Sequence, residues 1–135
     1  MGCEIDHLGI AVRSLDESLA FYEQTLGMRV AGRETVELEK VNVAMLPVGA
    51  GPHPSRIELL EPLSGDSTIA KFLEKRGPGL HHVALRVDDL AAAISRLKLA
   101  GAKLLNEPRP GAGGHTYVFV HPASAGGVLL ELIQK

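Results

Sequence analysis

The stretch DHLGIAVRSLDESLAFYEQTLGMRV (6–30) has a counterpart in HHVALRVDDLAAAISRLKLAGAKLL (81–105). Each copy leads from a histidine into an apolar run, HLGIAV (7–12) and HVALRV (82–87). A short polar link follows, then apolar residues at helical spacing: Leu15, Leu19 and Tyr22, and Leu90, Ile94 and Leu97. Each helical pattern stops at a glycine, Gly27 or Gly101. The second halves also match. VNVAMLPVG (41–49) pairs with TYVFVHPAS (116–124) as a strand running into a Pro-containing turn, and RIELLEP (56–62) with LLELIQK (129–135). The duplication predicts an α+β chain of two tandem β–α–β–β–β modules, about 4–63 and 79–135, in one domain. Between them, SGDSTIAKFLEKRGPG (64–79) reads as a linker helix over 66–76, with Asp66 or Ser67 as N-cap and Gly77-Pro78-Gly79 as its end.

Strand parity then sorts the histidines, because neighbouring side chains in a strand point to opposite faces. Leu8, Ile10 and Val12 suit the face that packs under a helix, which leaves His7, Gly9 and Ala11 on the other. In the second copy Val83, Leu85 and Val87 oppose His82, Ala84 and Arg86. His7 and His82 are therefore equivalent, on a face away from the helix and beside small residues. His81 has the helix-side parity. Glu58 and Glu131 each stand alone inside an apolar run, and an unpaired carboxylate there needs a metal or a cation as partner. Two His and two Glu at repeat-equivalent positions suit a borderline divalent ion such as Zn²⁺, Co²⁺, Ni²⁺ or Mn²⁺.

Bulk properties narrow the class. A net charge of −2 and the absence of tryptophan give no footprint for nucleic acid. The single cysteine, Cys3, rules out an intrachain disulfide and fits a reducing compartment. No apolar stretch approaches a membrane span, no signal segment is evident, and Asp6 stands where a myristoylation motif wants Ser or Thr. A cytoplasmic or matrix-type chain is expected. The glycine-rich GAGGHTY (111–117) lacks the Lys of a phosphate loop and reads as a hairpin entry. His53 reads as loop surface and His121-Pro122 as a turn. Arg56, Lys71, Lys75 and Arg76 are charges that could stay in water or meet phosphates.

The stretches IDHLGIAV, FYEQTLGM, IELLEPL…DSTIAKFLEKRG, GLHHVALRVDDL and FVHPASAGGVLLEL resemble the vicinal oxygen chelate (glyoxalase/bleomycin resistance/dioxygenase) superfamily. Within it they resemble the methylmalonyl-CoA epimerase family, most specifically over 57–90 and in the HP…GGVLLEL ending. The resemblance implies a cupped mixed sheet around a metal held by His7, Glu58, His82 and Glu131. In some members the second of these ligands is Gln. Co²⁺ leads the expected ions, ahead of Mn²⁺, Ni²⁺ and Zn²⁺. It also implies interconversion of (2R)- and (2S)-methylmalonyl-CoA by proton abstraction at C2, through a metal-stabilised enolate. A base is needed on each face. Glu131 is the candidate for one, and a Glu on the strand matching 41–47 serves as the other in a characterised type of member. Asn42 or Val43 stands there in this chain, so Glu37, Glu39 or a water must substitute. His115 is a candidate substrate contact, and a homodimer is expected. The alternatives are a lactoylglutathione lyase and a metal-free ligand-binding protein of the same fold.

Overall fold

The apolar runs behind the two histidines become β1 (Cys3–Ala11) and β5 (Gly79–Val87) in the computed structural model, which describes residues 2–135. The chain divides into two compact units. One is His7–His81; the other joins the residues up to Asp6 to His82–Lys135. In the first unit, β2 (Gly32–Val36), β3 (Val41–Val48) and β4 (Ser55–Pro62) lie in the order β2-β3-β4-β1. β1 runs parallel to β4 and the other pairs are antiparallel. In the second unit, β6 (Arg109–Pro110), β7 (Thr116–Val120) and β8 (Leu130–Gln134) repeat that order as β6-β7-β8-β5, again with one parallel pair. A parallel pair needs a crossover. The first unit uses α1 (Leu15–Leu19), the second α3 (Leu90–Leu99).

The helix N-termini show how closely the modules repeat. Ser14 and Asp89 cap α1 and α3 through the amides of Glu17 and Ala92. The first helical amide of each is then taken by a side chain three residues beyond the paired glutamate: Leu15 N donates to Glu61 Oε2 at 2.8 Å and Leu90 N to Gln134 Oε1 at 2.7 Å. The two positions are equivalent, and each ties its helix to the strand that carries the glutamate.

Parity holds. Ile10 and Val12 pack with Leu15, Leu19, Ala44, Leu46 and Leu59 under α1, and Leu85 and Val87 pack with Leu90, Ala93, Val118, Val120 and Leu132 under α3. The opposite face of the first unit is covered in part by α2 (Thr68–Arg76): Ala11, Val43 and Leu60 pack there with its Ile69 and Leu73. Ser67, not Asp66, caps α2, accepting from Ala70 N at 3.0 Å, and Gly77 ends it at φ 74°. Asp66 instead pairs with Lys40 and accepts from Ser64 Oγ, and the Lys40 bond, with that of Ser64, holds its carboxyl down at about 2.

Two local features depart from the expected pattern. After Leu19 the first helix widens into a π-wound segment, Ala20–Thr25, with Leu26 N bonding to Phe21 O. A 3.6-residue pattern and a wider turn place apolar residues too similarly to be told apart. Also, Met45 lies opposite Glu58 while Phe119 lies opposite Glu131, so β3 and β7 correspond one residue away from the match made through their prolines. Among the described residues, no helix is long and apolar enough to cross a membrane.

Candidate metal and substrate site

Each unit buries one imidazole against one carboxylate. In the first unit His7 and Glu58 are each 3% exposed, with Nδ1 3.3 Å from Oε2. In the second, His82 Nε2 lies 3.0 Å from Glu131 Oε1, and both side chains are buried. Strand pairing sets each couple. β1 and β4 place Gly9 beside Glu58, and β5 and β8 place Ala84 beside Glu131, so a side chain of minimal size stands next to each carboxylate. Buried imidazole with buried carboxylate is the donor chemistry that borderline divalent ions accept. The residues present therefore fit such an ion.

The couples differ in what balances their charge. Arg56, two residues before Glu58, donates from Nη2 to Oε2 at 2.5 Å, and its side chain is only 19% exposed. That guanidinium is committed to the carboxylate rather than held out for phosphates. Burial of an ionised Glu58 is compensated by this charge-assisted bond. The position two before Glu131 is Leu129, so the second couple lacks such a cation at the equivalent place. There, the Phe119 and His82 rings pack edge-to-face at 5.4 Å between centroids, which holds the imidazole plane by packing. The second unit also buries Asp6, 1% exposed, against Lys135 Nζ at 3.0 Å and Arg86 Nη1 at 3.8 Å.

The other expected residues fall as follows. The His81 ring packs edge-to-face with Phe72 of α2 at 5.0 Å between centroids. Arg76 lies over that same Phe72 ring. Asn42 shares neither the face nor the partners of Glu58. It accepts from Thr35 Oγ1 at 2.7 Å and donates to Glu61 Oε1 at 3.1 Å, on the α1 side. Val43 does share the face of Glu58, packed with Ala11 and Leu60. Glu37 and Glu39 sit in the β2–β3 turn. Val41, where β3 leaves that turn, is four residues from Met45, about 13 Å at strand rise. Glu34, which the sequence did not single out, lies directly opposite Val43 and so shares its face. His115 lines a cavity of about 620 Å³ beside α3, with Leu90, Ile94 and Lys98. His53 is exposed in its loop, and His121 Nδ1 accepts from Ala123 N in a turn. GAGGHTY forms the β6–β7 hairpin connection, with Gly111 N bonding to His115 O.

A duplicated βαβββ unit with an equivalent His–Glu couple in each copy defines a recognisable class. Residues 6–119 match the Glyoxalase/Bleomycin resistance protein/Dioxygenase superfamily, and the chain belongs to it. Within that superfamily it resembles the methylmalonyl-CoA epimerases. The mitochondrial methylmalonyl-CoA epimerase of Homo sapiens is 40% identical over 96% of this chain and 73% of its own. The ethylmalonyl-CoA/methylmalonyl-CoA epimerase of Cereibacter sphaeroides is 41% identical over 96% of both chains. A Streptomyces coelicolor methylmalonyl-CoA epimerase variant, solved with 2-nitronate-propionyl-CoA, superposes with a TM-score of 0.92 at 38% identity, covering 97% of this chain and 96% of that one.

Proposed function

We propose that this chain interconverts the two C2 epimers of methylmalonyl-CoA, and that its two units work as one domain. The observation that carries the reading is the pair of buried imidazole–carboxylate couples at equivalent places in the two modules. His7, Glu58, His82 and Glu131 would together hold one divalent ion, Co²⁺ first among the candidates. When bound, that ion supplies Lewis acidity toward the thioester carbonyl and carboxylate oxygens. Arg56 neutralises Glu58 and holds it in place; Phe119 orients His82. Glu131 takes and returns the C2 proton on one face. The opposite face needs a second acceptor. Val43 cannot carry a proton and Glu37 and Glu39 lie in the β2–β3 turn, so a water takes that place. The enzyme is proposed to be cytoplasmic and, on the resemblance alone, a homodimer.

The test is NMR of methylmalonyl-CoA in D₂O with Co²⁺-loaded and metal-stripped protein. Metal-dependent C2 exchange accompanied by inversion is the expected result. Exchange at the enzyme-free rate would remove the reading, and turnover of a glutathione hemithioacetal in its place would assign lactoylglutathione lyase chemistry.

A further inference from the structure

Arg56 reaches the first couple along its own strand. It lies beside His7 of β1 and opposite Pro47 of β3, and residues two apart on a strand share a face, so its side chain runs next to Glu58. Nη2 donates to Glu58 Oε2 at 2.5 Å, and His7 Nδ1 lies 3.3 Å from the same oxygen. Both contacts fall on Oε2, so an ion can take Oε1 while the guanidinium keeps its bond. The Glu58 and Arg56 side chains are 4% and 19% exposed, so water and salt screen little between them. The βαβββ module folds without a cation at this position, because Leu129 holds the equivalent place in the second unit.

Resting on the metal reading above, we infer that Arg56 sets the charge that the bound ion keeps: acting through Glu58, it turns that carboxylate into a near-neutral oxygen donor. On that reading, two carboxylates beside two neutral imidazoles would cancel the charge of a divalent ion. A guanidinium bonded to one of the carboxylates returns about one positive charge to the site. The ion is then held less tightly and keeps more Lewis acidity toward substrate oxygens. A neutral support that merely orients a ligand has the opposite effect, and its removal weakens metal binding about 10–100-fold. Here the support is a buried cation, and the double charge of the ion doubles the repulsion between them, so charge outweighs orientation. The two roles therefore differ in the sign of the change when Arg56 is removed.

The experiment measures Co²⁺ affinity by competition with a chelator in wild type, Arg56→Met, Arg56→Lys, Glu58→Gln and the Arg56→Met/Glu58→Gln double variant. Arg56→Met should tighten Co²⁺ on the order of ten-fold, and Arg56→Lys, which keeps the charge, should stay within about three-fold of wild type. Glu58→Gln leaves the guanidinium uncompensated beside the ion and should weaken Co²⁺ by more than about a hundred-fold. Adding Arg56→Met to it removes that cation and should bring affinity back to within about ten-fold of wild type. Weaker binding in Arg56→Met, tightening in Arg56→Lys as large as in Arg56→Met, or no recovery in the double variant would each overturn the inference. If Arg56→Met alone does not fold, the comparison of Glu58→Gln with the double variant decides the matter. No substrate is present, so failure of the epimerase reading shows separately, as absent C2 exchange with this order of affinities intact. A wild type that takes up no Co²⁺ would overturn the inference and the metal reading together.

Discussion

Replacing Arg56 by Met tests how the first couple tolerates its burial. The Glu58 side chain is 4% exposed and its bond to Arg56 is 2.5 Å long. Taking away one partner of a buried pair costs about 3–5 kcal/mol, because the other charge is left in a poor dielectric. Here Arg56 is already one-fifth in water and His7 Nδ1 remains 3.3 Å from the carboxylate, so the low end applies, about 3 kcal/mol in metal-free protein. For a chain of this size that lowers Tm by about 10 °C. The assay is urea unfolding followed by circular dichroism, with Arg56→Met, Glu58→Leu and the double variant as a cycle. An apolar pair of similar volume removes both charges, so the double variant should lie within about 1 kcal/mol of wild type. The coupling energy should then be about 2–3 kcal/mol. A single Arg56→Met cost under about 0.5 kcal/mol, or strict additivity, would show that the bond does not compensate a buried charge.

Asn42→Ala breaks the link between Thr35 and Glu61. It should cost about 1 kcal/mol in denaturant unfolding and leave kcat unaltered; a loss of kcat would contradict its placement on the α1 side. His81→Ala should retain the Co²⁺ affinity of wild type, and loss of its ring contact with Phe72 should cost about 0.5–1.5 kcal/mol by unfolding. Asp66, with its pKa lowered to about 2 by Lys40 and Ser64, should stay ionised to that pH in an NMR titration of its carboxyl carbon. A depressed carboxyl favours the folded state above its ordinary value of 3.8 and loses that contribution between 3.8 and about 2. Lys40→Met should move the midpoint back up.

The modules and the His–Glu couples were legible because strand alternation has period two. Once HLGIAV and HVALRV were matched, parity alone separated His82 from His81, and the structure keeps that division. The clamp from Glu61 and Gln134 to the helix amides escaped notice because it depends on where β4 and β8 end relative to α1 and α3, a tertiary fact. Arg56 was visible as a charge, but its partner follows only from β4 geometry. The bounds of β6 were not legible either, because it is two residues long, too short for any periodicity. Matching β3 and β7 through their prolines misaligned them by one residue, which in a strand exchanges the faces. Counting back from the glutamates puts Val43 and Tyr117 on the face of Glu58 and Glu131 and Asn42 off it.

On the proposed function, the two couples hold a single ion in common. Titrating Co²⁺ into metal-stripped wild type, His7→Ala and His82→Ala, with binding read by calorimetry and visible absorption, tests it directly. One ion per chain in the wild type, and loss of that site in either variant, is the expected result. Two ions per chain, or full affinity surviving in His7→Ala, would contradict it.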